Sequence, residues 1–210
     1  MREMSIDIET YSSEDLTKTG VYRYSEAPDF EILLFAYAFD DDDTVHQIDL
    51  ACGEKLPESI VEALTDPDIV KTAYNANFER VCISVYLGLT DFLPPEQWRC
   101  TAVASSELGL PQNLAGVASA FGLSEQKDTR GKALINYFSK PCKPTKSNGE
   151  RTRNLPEHDM EKWKAYKEYN IQDVVVERAI KEKLTRFPLK DSEQKLWEID
   201  QRILDRGVGV

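Results

Sequence analysis

One short stretch near the N-terminus constrains the fold more than any other, because it alternates isoleucines with acids. Residues 5–11 read SIDIETY, and a β-strand turns successive side chains to opposite faces. Ile6 and Ile8 would therefore face one side of the strand, and Asp7 and Glu9 the other. Two neighbouring carboxylates repel each other unless cations lie between them. The stretch predicts a strand with one face in the core and two acids side by side on the other face.

The overall composition is that of a folded domain without a membrane span. The chain has 210 residues, of which 41% are hydrophobic, enough for a substantial core. It contains no long apolar run and no apolar signal region at its N-terminus, so we expect a cytoplasmic protein without membrane contact. The cysteines are widely spaced and lack a C-x-x-C pair, so we expect reduced thiols and no metal site at Cys52, Cys82, Cys100 and Cys142.

The charge is negative overall but unevenly distributed. The formal net charge is −11, which argues against a protein held to nucleic acid by its charge as a whole. Residues 139–155, SKPCKPTKSNGERTRNL, nevertheless carry five basic side chains and one acid. The proline, glycine, serine and asparagine content of this basic loop leaves little for a core. It could contact phosphates, or it could be merely a solubilising loop.

Hydrophobic patterning predicts a β-meander followed by helices and further strands. Residues 4–10, 31–39 and 45–50 are three expected strands, and the aspartates at 40–43 are an expected solvated turn. A fourth strand is expected over 69–74, and the segment around Trp98 is the candidate for a fifth. Helices are expected over 57–64, 77–87, 101–108, 113–121, 131–138, 156–184 and 192–206.

Two later segments supply partners for the acids of the first strand. YNANFER, residues 74–80, joins a strand to a helix and places Glu79 in the first helical turn. YNIQD, residues 169–173, lies in the long helix, where Tyr169 and Asp173 are four apart and share a face. Each pattern alone is more often capping, core or surface. Their order, and their placement on a strand, a junction and a late helix, are much more specific.

Convergent carboxylates of this kind suit hard cations such as Mg²⁺ or Mn²⁺. Enzymes that cut phosphodiesters hold two such ions roughly 3.5–4 Å apart. One ion activates a water, and both stabilise the charge that builds on the phosphorus oxygens. A tyrosine hydroxyl near that water could orient it or help remove its proton. The five residues are therefore candidates for phosphodiester hydrolysis: Asp7, Glu9, Glu79, Tyr169 and Asp173.

At these residues the chain resembles the DEDD superfamily of 3′→5′ exonucleases. More closely, it resembles the proofreading domain of family A DNA polymerases of bacteriophages and prophages. The motif D-x-E matches Asp7 and Glu9, and Y-x-x-x-D matches Tyr169 and Asp173, which is the tyrosine form of the last motif. The middle motif matches loosely, with Glu79 where aspartate is usual. Three further segments also resemble the phage-type polymerases: residues 20–39, 138–156 and 198–210.

The resemblance implies a ribonuclease-H-like α/β fold, in which helices flank a mixed five-stranded sheet. It also implies two Mg²⁺ or Mn²⁺ ions per site, held by Asp7, Glu9, Glu79 and Asp173, with Tyr169 beside them. The glutamate at position 79 makes the second of these metal sites the weaker one.

The resemblance further implies a substrate and a place in a longer protein. The substrate would be the 3′ end of single-stranded DNA, and the domain would be a monomer. Residues 1–187 would form the exonuclease domain. Residues 188–210 would begin the C-terminal polymerase portion of the same polypeptide, so we expect the chain to be cut from a longer protein.

A threaded single strand needs cations for its phosphates and aromatic rings for its bases. Phe78 and Tyr11 are the stacking candidates, although a role in the core is favoured for Phe78. Asn75 could hydrogen-bond the penultimate nucleotide or could cap a helix, and Thr10 follows the first motif directly. The candidates for phosphate contact lie in the basic loop: Lys140, Lys143, Lys146, Arg151 and Arg153.

Three alternatives stay open beside a proofreading exonuclease. The chain could be an RNA-trimming exonuclease of the same superfamily, against which the polymerase-like C-terminal segment argues. It could be an inactive nucleic-acid-binding relic, although Asp7, Glu9 and Asp173 are all present. It could also be a metal-free interaction domain whose acids lie on the surface by chance.

Overall fold

The computed structural model describes residues 2–124 and 130–207. One sheet contains five strands: β1 (Arg2–Tyr11), β2 (Glu31–Phe39), β3 (His46–Asp49), β4 (Ile69–Ala73) and β5 (Trp98–Cys100). Their spatial order is β3-β2-β1-β4-β5. β1 pairs antiparallel with β2 and parallel with β4, while β3 and β5 extend the two sides antiparallel and parallel respectively. The expected mixed five-stranded sheet, including the strand at Trp98, is confirmed.

Eight α-helices flank this sheet in the described part of the chain. They are α1 (Leu16–Ser25), α2 (Glu58–Thr65), α3 (Ala76–Tyr86), α4 (Thr101–Glu107), α5 (Leu114–Ala120), α6 (Gly131–Phe138), α7 (Met160–Leu184) and α8 (Asp191–Arg206). Among the described helices, none is both long enough and apolar enough to cross a membrane.

Two helices differ from the sequence-based expectation. α1 is absent from that expectation because Gly20, near its middle, has a φ of 76° and breaks the helical backbone. Its periodicity is correspondingly weak, and Asp15 starts it by accepting a hydrogen bond from the backbone N–H of Thr17. The long helix α7 begins at Met160, four residues later than expected, because residues 156–158 form a 3₁₀ turn and Asp159 caps the helix.

Strand β1 lies at the centre of the sheet and is covered on both faces. Ile6 and Ile8 are buried in the largest core cluster, which also contains Trp98. Asp7 and Glu9 face the opposite side, where α7 crosses β1 and β2. The predicted alternation is therefore confirmed, and the acidic face is covered by a helix.

Helix α7 has a buried face that is largely polar. Side chains spaced three or four residues apart are buried there: Tyr166, Asn170, Asp173 and Glu177, followed by Ile180. Burying a polar group costs free energy unless the group finds a hydrogen-bond partner. The partners of Tyr166 and Asn170 on β1 define the site described below, and Glu177 accepts a hydrogen bond from Thr101.

Helix α8 packs against the same body with one of its faces. Trp197 is buried in the largest core cluster. Asp205 forms a two-pronged ion pair with the fully buried Arg80 of α3, at 2.6 and 3.0 Å, and accepts a hydrogen bond from the hydroxyl of Tyr22. Because Arg80 follows Glu79 directly, this contact ties α8 to the helix that carries a candidate site residue.

Candidate metal centre and substrate cleft

Three acids from two elements converge above the centre of the sheet. Asp7 and Glu9 come from β1 and Asp173 comes from α7, and one carboxylate oxygen of each lies within 4.8 Å of those of the other two. Glu9 and Asp173 are buried and Asp7 is partly buried. Carboxylate oxygens are the ligands that Mg²⁺ and Mn²⁺ prefer, so this donor set fits a hard divalent cation.

Two side chains of α7 that the sequence analysis did not single out hold these acids. The hydroxyl of Tyr166 donates to Glu9 Oε2 at 2.5 Å, and Ser139 Oγ lies 2.6 Å from the same hydroxyl. Asn170 Nδ2 donates to Asp7 Oδ2 at 2.7 Å and to the Asp7 carbonyl at 3.1 Å. A sequence signal existed, because Tyr166 lies three residues before Tyr169 and Asn170 lies three residues before Asp173, which places both on the helical face of the motif residues.

Tyr169 is buried beside the three acids. Its hydroxyl is hydrogen-bonded to Asp173, its neighbour one helical turn along. Burial, followed by the negative charges of Glu9, Asp173 and Asp7, raises the pKa of the Tyr169 phenol far above its usual value. The phenol is therefore protonated throughout the ordinary pH range, and it acts as a hydrogen-bonding group.

Glu79 lies in the first turn of α3 and lines the same cleft as the three acids. Its side chain is 5% exposed, and its Oε2 atom has no hydrogen-bond partner in the described part of the structure. Burial first, and then the negative charge of Asp7, hold the pKa of the Glu79 carboxyl well above its usual range. The three-acid group does not include Glu79, so the structure places it at the site without bringing it into that close set.

The cleft above the acids has a volume of about 630 Å³. Thr10, Asn75 and Phe78 from the sequence-based candidates line it, and Thr10 Oγ1 lies 2.8 Å from the hydroxyl of Tyr24. Asn75 is exposed, occupies the N-cap position of α3 and makes no side-chain capping bond. Phe78 is partly buried against the core and still reaches the cleft wall.

Most of the cations in the basic loop lie outside the lining of the cleft. Of its cations, all in the described part of the chain, Lys140 alone belongs to the cleft lining. Lys143 and Lys146 are exposed and lie outside it. Arg151 donates within the loop, to Asn154 Oδ1 at 2.8 Å and to a backbone carbonyl at 3.1 Å.

Two candidates from distant parts of the chain contact each other. The guanidinium of Arg153 lies 3.7 Å from the centre of the Tyr11 ring, a cation–π contact. Arg153 also pairs with Glu31 at 2.5 Å, and Tyr11 is 4% exposed. Neither residue lines the cleft. The pair packs the basic loop against the start of β2 and the end of β1.

The chain is similar in sequence to a phage protein. Over its whole length it is 63% identical to the DNA polymerase of Bacillus phage SP02. It spans 32% of that polymerase, corresponding to the N-terminal third. No protein-family model matches the chain.

The fold is similar to those of solved nucleases. Escherichia coli RNase D, described as an exoribonuclease involved in structured RNA processing, has a TM-score of 0.59 and 13% identity, over 99% of this chain and 46% of RNase D. Brucella melitensis NrnC with bound Mg²⁺ has a TM-score of 0.53 and 15% identity, over 97% of this chain and 82% of NrnC. Identities this low bear on the fold alone. The chain therefore has the ribonuclease-H-like fold of the DnaQ-like exonucleases.

Proposed function

We propose that this protein is a metal-dependent 3′→5′ exonuclease that removes nucleotides from the 3′ ends of single-stranded DNA. We further propose that it is the proofreading part of a family A DNA polymerase. The observation that carries the proposal is the convergence of Asp7, Glu9 and Asp173, with ligand oxygens within 4.8 Å of one another. The 63% identity to a phage DNA polymerase favours DNA as the nucleic acid.

Two Mg²⁺ or Mn²⁺ ions would be held by four acids: Asp7, Glu9, Glu79 and Asp173. Asp7, Glu9 and Asp173 offer converging oxygens. Glu79 offers a buried oxygen without a described hydrogen-bond partner, which a cation would satisfy. When bound, such ions supply an activated water and stabilise charge on the phosphorus oxygens. Because the pKa of Glu79 is raised, this acid must lose a proton to ligate, so it is the weaker donor of the set.

Tyr169 would orient the attacking water. Its phenol is protonated, because burial and three nearby acids raise its pKa. Its hydroxyl is fixed by Asp173, so its position relative to the acids is defined. A fixed hydroxyl at this place can align a water for in-line attack.

The cleft itself would take the last nucleotides of the strand. Leu16 and Phe78 supply apolar surface on its walls, and Lys140 supplies a positive charge at its lining. Apolar walls stack on any base, and a lysine contacts any phosphate, so this cleft would accept whichever nucleotide is mispaired. The remaining loop cations would contact the strand further from its 3′ end: Lys143, Lys146, Arg151 and Arg153.

We propose that residues 1–187 form the exonuclease domain and that α8 begins the polymerase portion. The inner face of α8 is packed on the domain through Trp197. The outer face exposes Leu196, Ile199 and Ile203, spaced three and four residues apart. The SP02 polymerase is about three times as long as this chain, and the chain that follows α8 in such a polymerase would cover this apolar face.

A degradation assay tests the function directly. A 5′-labelled DNA single strand should be shortened stepwise from its 3′ end in Mg²⁺ or Mn²⁺, and it should stay intact with chelator. Asp7→Ala should reduce this shortening to background while leaving the metal-free fold as stable or more stable, since it relieves carboxylate repulsion. An Asp7→Ala variant that degrades DNA at the wild-type rate would disprove the assignment of this site.

The second candidate function is RNA trimming, because RNase D, which shares the fold, is described as an exoribonuclease. A matched RNA single strand in the same assay separates the two. Faster shortening of RNA than of DNA, at equal strand and metal concentration, would replace DNA proofreading by RNA trimming. Equal loss of both strands only in the presence of metal would leave the exonuclease assignment in place without a DNA preference.

A further inference from the structure

Asn170 lies directly after Tyr169 on α7 and is fully buried. Its side-chain amide makes three hydrogen bonds. Nδ2 donates to Asp7 Oδ2 at 2.7 Å and to the Asp7 carbonyl at 3.1 Å, and Oδ1 accepts from Gln47 Nε2 at 2.8 Å. The amide therefore links Gln47 on β3 to Asp7 on β1, two strands away.

The register of the sheet creates the gap that Asn170 fills. Asp7 pairs with Ala36 across β1 and β2, and Ala36 pairs with Gln47 across β2 and β3. Residues directly opposite each other on neighbouring strands share a face, so these three lie in one row. The middle residue of the row is a small alanine, fully buried, which leaves room above it for the Asn170 amide.

Two backbone carbonyls fix which end of each amide points where. Gln47 Nε2 also donates to the carbonyl of Lys167 at 2.9 Å, and a carbonyl can only accept. Gln47 must therefore direct its amide nitrogen toward α7, and Asn170 must accept the hydrogen bond from Gln47 with its side-chain oxygen. Its nitrogen then faces two acceptors of Asp7, the side-chain oxygen and the carbonyl. A flipped Asn170 amide would set its oxygen against both of them.

We propose that Asn170, oriented by Gln47, is a positioning residue that holds Asp7 in the conformation that binds metal. The proposal rests on the proposed metal-dependent function. A neutral amide satisfies one oxygen of a partly buried carboxylate and leaves its negative charge intact for a cation. A lysine or arginine at the same place would neutralise that charge and compete with the metal. Groups that hold metal ligands in this way typically affect metal affinity or activity by about 10-fold to 100-fold.

The test uses Asn170→Ala, Gln47→Ala and the double variant. Gln194→Ala is the matched control, because Gln194 also donates a side-chain amide to a carbonyl, that of Trp98, away from the cleft. The first readout is the Mn²⁺ concentration that gives half of the metal-induced rise in melting temperature, measured without nucleic acid, since a ligand of the folded form raises stability. The second readout is strand shortening at saturating Mn²⁺.

Asn170→Ala should raise the half-effective Mn²⁺ concentration by about 10-fold to 100-fold, and saturating Mn²⁺ should restore part of the activity. Gln47→Ala should shift it in the same direction by less. The double variant should match Asn170→Ala, because Gln47 acts through Asn170 and the two effects are not additive. Gln194→Ala should leave the Mn²⁺ requirement unchanged.

A wild-type Mn²⁺ requirement in Asn170→Ala would overturn the proposal, and so would effects of the two single variants that add in full. If Asn170→Ala does not fold, Gln47→Ala decides, since it keeps the buried amide: an unchanged Mn²⁺ requirement would overturn the proposal. Failure of the wild type itself to be stabilised by Mn²⁺ or to shorten DNA would instead contradict the proposed function, so the two failures are distinguishable.

Discussion

The ring of Tyr169 lies against the α-carbon of Gly131, the first residue of α6. A β-carbon on that glycine would come 2.2 Å from Cε2 of the ring, far closer than atoms can approach. Alanine would otherwise suit a helix better than glycine, by about 1 kcal/mol. Gly131 is therefore explained by the space that Tyr169 occupies.

Gly131→Ala should displace the Tyr169 ring and slow nucleotide release by about 10²-fold, as Tyr169→Phe should, because the first change misplaces the hydroxyl that aligns the water and the second removes it. The measurement is the rate of shortening of a 5′-labelled strand at saturating Mn²⁺. Lys132→Ala is the control, since Lys132 is an exposed neighbour in α6 outside the cleft lining. If Gly131→Ala shortens the strand at the wild-type rate while Tyr169→Phe is slow, the position of the Tyr169 ring does not matter for activity.

The buried Glu79 should make metal-free stability depend on pH. Its pKa is raised in the folded state, so the carboxyl stays protonated there while it ionises in the unfolded chain. The contribution of Glu79 to the free energy of unfolding is thus complete below the pKa that it has in the unfolded chain. That contribution is lost as pH rises through its pKa in the folded state. Glu79→Gln removes this titration. In chelator, the melting temperature of Glu79→Gln should therefore rise relative to that of the wild type as pH rises from about 5 to about 8.

Bound metal should make the wild type more stable than Glu79→Gln. Glu79→Gln cannot ligate as a carboxylate, so Mn²⁺ should stabilise the wild type more than the variant, and the variant should lose most of its exonuclease activity. Glu79→Asp keeps the charge and should keep activity. Mn²⁺ should rescue a weak second site better than Mg²⁺, which demands near-ideal octahedral geometry. Equal activity of the wild type and Glu79→Gln would show that this acid takes no part in metal chemistry.

Local patterns in the sequence carried most of the fold and the first outline of the site. The alternation in residues 5–11 predicts both the central strand and the face on which Asp7 and Glu9 lie. The fifth strand at Trp98 and the four-residue spacing of Tyr169 and Asp173 are also local features. These succeed because periods of two and of 3.6 residues are properties of single elements.

The residues that the sequence did not reveal depend on contacts between distant elements. Asn170 and Gln47 meet because of a three-strand register, and Gly131 matters because α6 packs on α7. Tyr11 and Arg153 were each a reasonable substrate contact in isolation. In the fold they contact each other, which no local pattern could have predicted.

Lys140 should dominate the salt dependence of strand binding. It is the loop cation that lines the cleft, whereas Lys143 and Lys146 lie outside it. Each phosphate neutralised adds about −0.7 to the slope of log affinity against log salt for a single strand. Lys140→Ala should therefore flatten that slope by about one such step and raise KM more than it lowers kcat.

Arg151→Ala should instead lower the melting temperature, since its hydrogen bonds are internal to the loop. A slope altered by Lys143→Ala and Lys146→Ala, but not by Lys140→Ala, would place the strand over the loop.

The two faces of α8 should respond oppositely to truncation. Trp197 is 8% exposed and sits in the core cluster, while its neighbour Leu196 is 61% exposed on the outer face. Trp197→Ala should cost about 3–5 kcal/mol of unfolding free energy, the usual loss for a large buried aromatic. Leu196→Ala should stay within about 0.5 kcal/mol, as for other exposed positions. Chemical denaturation of this chain measures both changes in unfolding free energy, and sedimentation at several concentrations shows whether the chain is the monomer we expect.

A large loss of unfolding free energy in Leu196→Ala that grows with protein concentration would mean that a second copy, and not the following polymerase chain, covers the outer face. Equal stability of Trp197→Ala and the wild type would mean that α8 contributes nothing to the exonuclease domain and belongs wholly to the polymerase portion.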